Sequence, residues 1–159
     1  MTPVAVDRQT LERAKLATFA FFGLAGVAFA SWASRIADAK NDLGLGAGEL
    51  GATLFAMSVG SVLALPLTGR VVERFGVVRT IRAGMIAAAL GAVVVGLGVD
   101  TFASRPVVMC GLFLLGVGIG GWDVAMNLEA TDVERHLGRA IMPHFHAAFS
   151  GGTVLTALL

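Results

Sequence analysis

Residues 50–69 read LGATLFAMSVGSVLALPLTG and contain no charged side chain between Glu49 and Arg70. A helix needs about 17–25 predominantly apolar residues to cross the ~30 Å hydrocarbon layer of a bilayer, and this stretch has that length. A lone strand cannot satisfy its backbone hydrogen bonds in lipid, so a helix is the expected form. Three further uncharged stretches of similar length occupy residues 16–34, 83–99 and 106–122.

The last of these stretches reaches residue 128 if Asp123 is accommodated within the membrane, so its predicted span is 106–128. A fifth apolar stretch opens near Ile141 and continues to the last residue, which predicts a helix over 142–159. Residues 1–15 form a polar N-terminal segment. The predicted fold is therefore all-α: a polytopic membrane helix bundle with four transmembrane helices and a fifth that is cut off.

The composition of the chain supports a lipid solvent. Of its 159 residues, 56% are hydrophobic and 14% charged, whereas about a quarter of the residues in a soluble domain are charged. The net charge of +1 gives no field that would attract nucleic acid. Cys110 is the single cysteine, which excludes an internal disulfide framework and a cysteine-rich metal site. We expect the lipid bilayer as a partner, no nucleic acid and no cofactor.

The basic residues predict the orientation of the chain. Alternating crossings place residues 1–15, 70–82 and 129–140 on one side, and nine of the 12 basic residues fall there. Because positive charge is retained in the cytoplasm, we expect a cytoplasmic N-terminus. A cleaved signal peptide ending near residues 28–30 (AFA) is the alternative for the first stretch, and the length of that stretch disfavours it.

Two glycine patterns resemble a dinucleotide fingerprint without its context. They are Gly46, Gly48 and Gly51, and Gly116, Gly118 and Gly121. Such a site needs a strand-to-helix turn in a βαβ unit, and neither pattern has one. His144 and His146 are two residues apart, so on a helix they diverge by about 200° and cannot both face one metal ion. We therefore predict no catalytic or metal site.

The fourth span carries a polar stripe. Gly116, Gly120, Asp123 and Asn127 are spaced by four, three and four residues, which places them on one helical face. The two glycines would let a neighbouring backbone approach closely. Asp123 and Asn127 then have two open interpretations: hydrogen bonding between packed helices, or lining of a substrate or proton path.

Two further spans carry candidate features. His146, Ser150 and Thr153 share one face of the fifth segment. Two interpretations of His146 are open: a hydrogen-bonded residue between packed helices, which is the commoner case, or a proton carrier, because histidine titrates near pH 6.5. Pro143 suits the first turn of that helix. Pro66, inside the second span, is expected to bend it.

The connection after the second span reads GRVVERFGVVR over residues 69–79. Gly69 would let helices approach, Gly76 would permit a positive-φ turn, and Glu73 could pair with Arg74 or cap a helix. The spacing of Gly69, Glu73, Arg74, Gly76 and Arg79 resembles the cytoplasmic loop signature of the major facilitator superfamily (MFS) of transporters, with Glu73 where the family usually has aspartate.

Three other segments resemble a bacterial subgroup of that superfamily that includes rhizopine-transport-related proteins and sugar-like permeases. They are residues 32–36 (WASRI) leading to 43–45 (LGL), residues 122–127 (WDVAMN) and residues 142–150 (MPHFHAAFS). The resemblance implies twelve spans in two six-helix halves that rock around a central site. It implies that this chain is an N-terminal fragment, and that the missing C-terminal half of the transporter is a partner.

The resulting expectation is transport of a small polar solute by alternating access, with proton coupling left open, by a protein that is not an enzyme. The candidate substrate or proton-path residues are Arg35, Asp123, Asn127, His146 and Ser150. The candidate gating loop comprises Gly69, Glu73, Arg74, Gly76 and Arg79. Two alternatives remain open at this point: a small self-associating four-helix exporter, and a non-transporting membrane assembly or scaffold protein.

Overall fold

The computed structural model describes residues 7–158, and within that range the chain is helical with short connections and no strand. The six α-helices are α1 (Arg8–Ala33), α2 (Ile36–Asp42), α3 (Ala47–Phe75), α4 (Val77–Gly96), α5 (Arg105–Leu137) and α6 (Met142–Ala157). A π-helical turn, Leu97–Thr101, continues α4. Residues 1–6 of the predicted N-terminal segment and Leu159 of the predicted fifth span lie outside the described residues.

Four helical segments are long and apolar enough to cross a membrane, which confirms the predicted helical multi-spanning fold. They are α1 together with α2, α3, α4 with its π-helical turn, and α5. Each of these four segments is longer than the span predicted within it. Helix α5, with 33 residues, is about 50 Å long at 1.5 Å per residue. Because the hydrocarbon layer is ~30 Å thick, we expect the polar residues 129–137 of α5 to extend beyond it.

The chain divides into two compact units. Unit 1 comprises residues 1–30 and 126–159, and its core is built from α1, α6 and the last part of α5, which contributes Met126, Ala130 and Val133. The rings of Phe19 and Phe145 lie 4.7 Å apart and those of Phe29 and Phe149 6.2 Å apart, so the two helices run parallel. Parallel packing of the first and fifth predicted spans is what alternating crossings require.

Unit 2 comprises residues 31–125 and contains α2, α3, α4 and the first two-thirds of α5. Helix α5 packs against both α3 and α4 in this unit. Its buried core residues are Ala88, Val95, Val108, Leu112 and Leu115. The start of α5 contacts the start of α3, so these two helices are parallel. The start of α5 also lies beside the end of α4, so α5 and α4 are antiparallel.

The junction between α3 and α4 differs from the predicted loop. Helix α3 continues through Pro66 and Gly69 to Phe75, and α4 begins at Val77, so Gly76 alone separates them. Gly76 has φ +85°, which confirms the predicted positive-φ turn. Gly69 lies inside α3, so the segment is helical up to Phe75.

Candidate functional site

Helix α5 is held against two neighbours by glycines on two of its faces. A Cβ at Gly116 would lie 2.0 Å from the carbonyl oxygen of Met57 in α3, and one at Gly120 would lie 2.9 Å from Oγ of Ser61. This confirms the predicted close approach of a neighbouring backbone. A Cβ at Gly118 would lie 2.3 Å from the backbone nitrogen of Ala88 in α4.

These contacts explain the second dinucleotide-like pattern. Residues 116 and 118 are two positions apart, so they point to nearly opposite sides of a helix. One therefore meets α3 and the other α4. Glycine is required at Gly116 and Gly118 because the backbones of α3 and α4 leave no room for a Cβ at these two positions.

Trp122 follows this glycine segment and is 4% exposed. A Cβ at Gly84 would lie 2.9 Å from Cβ of Trp122, so a glycine in α4 makes room for the base of the indole. Its Nε1 is buried and has no hydrogen-bond acceptor among residues 7–158. The indole therefore fixes the rotation of α5 by packing.

Asp123 and Asn127 lie one turn apart on α5, as predicted. The side chain of Asp123 is exposed on the surface of the chain, Asn127 is half-buried, and each has an interaction partner within the chain. Asp123 belongs to unit 2 and Asn127 to unit 1. Both interpretations of this pair, helix packing and a substrate or proton path, remain predictions.

His146 lies on α6 against an aromatic wall in unit 1. Its ring is 5.2 Å from that of Phe22 in an edge-to-face arrangement, and the Phe22 ring also stacks at 5.6 Å on Phe145. Phe22 and Phe145 are fully buried, whereas the His146 side chain is exposed. The imidazole therefore has one side against aromatic rings and its other side exposed on the surface of the chain.

The hydroxyl groups of α6 bond to their own helix. Ser150 Oγ donates to the carbonyl oxygen of His146 at 3.2 Å, and Thr153 Oγ1 donates to that of Phe149 at 3.1 Å. A hydroxyl that donates within its helix keeps its lone pairs as acceptors. Ser150, which is exposed, can therefore accept a hydrogen bond from a solute.

The start of α6 depends on a carboxylate from α5. The N-cap residue Ile141 has no polar side chain, and Pro143 lies in the first turn, as predicted. Glu134 Oε2 accepts hydrogen bonds from the backbone amides of both Met142 and Ile141, each at 2.7 Å. Glu134 lies beyond the predicted span 106–128. The two amides, first that of Met142 and then that of Ile141, hold the pKa of its carboxyl group below its usual value.

The candidate gating residues lie on either side of Gly76. Glu73 and Arg74 are exposed in the last turn of α3, and Arg79 is exposed in the first turn of α4. The predicted pairing of Glu73 with Arg74 is absent among the described residues, where Arg74 instead lies over the ring of Phe75 at 5.6 Å. A Cβ at Gly69 would meet no atom of the described residues within 4 Å, and its predicted role in helix approach remains a prediction.

Arg35 lies in the two-residue connection between α1 and α2 and is exposed. It shares unit 2 with Asp123, while Asn127, His146 and Ser150 belong to unit 1. The candidate path residues are thus divided between the two units.

One polar cluster in unit 2 was not predicted. Arg105, at the start of α5, donates from Nε to Thr53 Oγ1 at 3.0 Å, and its guanidinium lies 3.7 Å from the carboxylate of Glu49. Thr53 is 2% exposed and donates in turn to the carbonyl oxygen of Glu49 at 2.7 Å. Glu49 also accepts from the amide of Gly46 at 2.9 Å, which caps α3. The sequence signal for the Glu49–Gly46 cap is an acidic residue three positions after the N-cap of α3. The contacts of Arg105 have no such local signal.

Comparison with known proteins gives three informative relatives. The chain is 36% identical over 136 residues to an uncharacterized transporter of Sinorhizobium fredii, covering 86% of this chain and 35% of the relative. It is 39% identical over 140 residues to an uncharacterized MFS-type transporter of Yersinia pestis, covering 87% of this chain and 35% of the relative. It is 31% identical over 136 residues to the membrane protein MosC of Rhizobium meliloti, covering 84% of this chain and 32% of the relative.

No family profile and no solved structure matches the chain. The chain spans about a third of the length of the curated relatives it matches. These relatives confirm the resemblance found in the loop signature and the other three segments. Over most of its length the chain is a homologue of bacterial MFS-type transporters, and it is a multi-pass membrane protein.

Proposed function

We propose that this chain forms part of a secondary transporter that moves a small polar solute by alternating access, with proton coupling through Asp123 and His146. Its relatives support membrane transport in general. The observation that carries the finer proposal is Asp123, a carboxylate within the apolar part of α5. Ionisable groups inside membrane spans are costly to keep there, and they typically mark substrate or proton paths.

The surroundings of Asp123 support this role. Helix α5 is fixed against α3 and α4 by backbone contacts at glycines, and Trp122 is buried beside it. A carboxylate on a helix held in this way keeps a constant position while protonation changes its charge. Asn127, one turn away, adds an amide that can donate to and accept from a solute.

His146 and Ser150 supply complementary chemistry on α6. The imidazole offers ring nitrogens that can donate or accept a hydrogen bond, and the Ser150 hydroxyl retains its acceptor lone pairs. Polyols and sugars offer alternating donors and acceptors that can bond to the imidazole of His146 and the hydroxyl of Ser150. In this proposal Arg35 contributes to an outer gate, and residues 69–79 form the cytoplasmic gating segment.

The orientation in this proposal places the N-terminus in the cytoplasm of a bacterial cell. It can be tested with single cysteines on a Cys110→Ala background. Asp42→Cys, in α2, should react with a membrane-impermeant maleimide added outside intact cells, and Ala140→Cys should react only after permeabilisation. The reverse labelling pattern would invert the proposed topology.

The proton-coupling proposal is tested in the protein encoded by the complete reading frame that contains these residues. Asp123→Asn should abolish solute-driven proton uptake into proteoliposomes while leaving solute exchange measurable. Asp132→Asn, on the exposed end of the same helix, is the matched control and should retain proton uptake. Unchanged proton coupling in Asp123→Asn would leave Asp123 with a packing role alone.

A further inference from the structure

The residue Glu134 connects two helix ends at once. Its carbonyl oxygen accepts the amide of Gly138 at 3.1 Å, where Gly138 has φ +63° and ends α5. Its carboxylate accepts the amides of Ile141 and Met142, where α6 begins. One residue therefore fixes the end of α5 and the start of α6.

The start of α6 has no other side-chain cap. A helix leaves its first amides without intrahelical acceptors, and an N-cap serine, threonine, aspartate or asparagine usually supplies one. Ile141 occupies the N-cap position and has no acceptor in its side chain. Pro143 has no amide hydrogen, so the amides of Ile141 and Met142 are the donors that matter at this end.

The position of His146 depends on this start because it lies one turn further along α6. A slip of α6 by one residue would rotate its side chains by about 100° and carry the imidazole away from the Phe22 ring. Further along, a Cβ at Gly152 would lie 2.1 Å from the carbonyl oxygen of Gly23, and one at Gly26 would lie 2.0 Å from that of Phe149. These contacts hold the middle of α6 against α1, and the Glu134 cap holds its first turn.

We propose that Glu134 is a positioning residue for His146: its carboxylate fixes the first turn of α6 and thereby keeps the imidazole on the Phe22 ring. The proposed function explains why the position of His146 matters, and the inference rests on it only in this respect. The test of the inference does not require a transport measurement. The mechanism needs an acceptor oxygen at residue 134. The negative charge strengthens both bonds, which meet at the single oxygen Oε2.

The experiment uses the full 159-residue chain in lipid nanodiscs and reads amide hydrogen exchange together with the ring NMR signals of the histidines. The chain has 3 histidines, so each signal can be assigned by single substitution. Glu134→Ala should speed exchange of the Ile141 and Met142 amides about tenfold, the effect typical of a lost cap. It should also move the ring signals of His146 away from their aromatic-shifted positions.

Two variants serve as controls. Glu134→Gln retains an oxygen that can accept both amides through weaker, uncharged bonds, so it should speed exchange less and displace the His146 signals less than Glu134→Ala. Asp132→Asn, two residues away, removes an exposed acid that pairs with Arg135 and His136 on its own helix. It should leave the His146 signals in place.

Faster amide exchange in Glu134→Ala with unmoved His146 signals would overturn the proposal, since Glu134 would then be a local cap. A displacement of the His146 signals in Glu134→Gln as large as that in Glu134→Ala would also overturn it.

If Glu134→Ala does not fold, acid titration of the unmodified chain provides the same test. Protonation of Glu134 weakens its acceptor oxygen, so the Met142 amide and the His146 ring should shift in one step, which Glu134→Gln should lack. Independent shifts of the two signals would contradict the proposal. The other charged or titratable groups described at this end of unit 1 are Asp7, Arg8, Glu12, Arg13, Lys15, Glu129, Asp132, Arg135, His136, Arg139 and His144.

Discussion

The backbone of Met57 in α3 lies so close to Gly116 in α5 that an added Cβ would be 2.0 Å from its carbonyl oxygen. The contact is reciprocal, since a Cβ at Gly60 would lie 2.2 Å from the carbonyl oxygen of Phe113. Neither side can yield by a side-chain rotation, because both obstacles are backbone atoms. The parallel packing of α3 and α5 therefore requires glycine at both positions.

We expect Gly116→Ala to lower the stability of the purified chain by about 3 kcal/mol, the upper part of the usual range for overpacking a tight interior. Gly121→Ala is the matched control on the same helix, because its Cβ would lie 3.5 Å from Thr68 Oγ1, an ordinary contact. Thermal unfolding followed by tryptophan fluorescence in detergent measures both variants. Equal stability of the two would contradict the assigned contact.

The Arg105–Thr53 hydrogen bond should contribute more to stability than the nearby ion pair. Thr53 is 2% exposed, so Thr53→Val should cost about 1–2 kcal/mol, which includes the unpaired Arg105 donor. Glu49 is 56% exposed in its side chain, so Glu49→Gln should cost at most about 1 kcal/mol, as is typical of surface pairs. Urea or thermal unfolding of the two variants, with Arg105→Ala and the double variants, gives the coupling energies. A larger coupling energy between Arg105 and Glu49 than between Arg105 and Thr53 would contradict the prediction that the hydrogen bond contributes more.

Ala103 has φ +43°, a left-handed backbone conformation that side chains with a Cβ disfavour. Glycine removes that penalty, so Ala103→Gly should stabilise the chain by about 1 kcal/mol. Ala83→Gly, at an exposed position inside α4, should instead destabilise it by about 0.5–1 kcal/mol. Opposite signs in thermal unfolding are the expected outcome, and a loss of stability in both would show that the turn at Ala103 is not strained.

Acidification should weaken the start of α6 through Glu134. Because hydrogen bonds from Met142 and Ile141 lower the pKa of Glu134 in the folded chain, its ionised form adds stability at neutral pH. That contribution is fully present above the usual glutamate value of 4.5 and is lost as the pH falls through the lowered pKa. Amide exchange at residues 141–145, corrected for intrinsic rates, should show a step below that value. Glu134→Gln should remove the step, and a step retained in that variant would assign the effect to another acid.

The helices could be located from the sequence because each contains a long uncharged stretch between charged residues. The spacing of Gly116 and Gly120 indicated a packed face. The sequence underestimated helix length at the junction around Gly76, since polar residues end a membrane span without ending a helix. Arg70 and Glu73 continue α3 in this way.

The two polar clusters depend on tertiary positions that periodicity does not contain. Arg105 meets Thr53 across 52 positions because α3 and α5 start side by side. Glu134 reaches Ile141 and Met142 because the turn at Gly138 folds α6 back toward it. The positions of Asp123 and His146 on their helices followed from spacing, whereas their functions require measurement.

Solute-driven proton uptake tests the central claim most directly. Proteoliposomes that contain the protein of the complete reading frame, with a pH-sensitive dye inside, are exposed in turn to small polyols, sugars and amino acids. We expect at least one of these solutes to drive proton entry in the unmodified protein, and Asp123→Asn to abolish that entry. Solute entry with no proton movement, or proton movement that persists in Asp123→Asn, would contradict the proposed coupling, and absence of any solute flux would contradict transport itself.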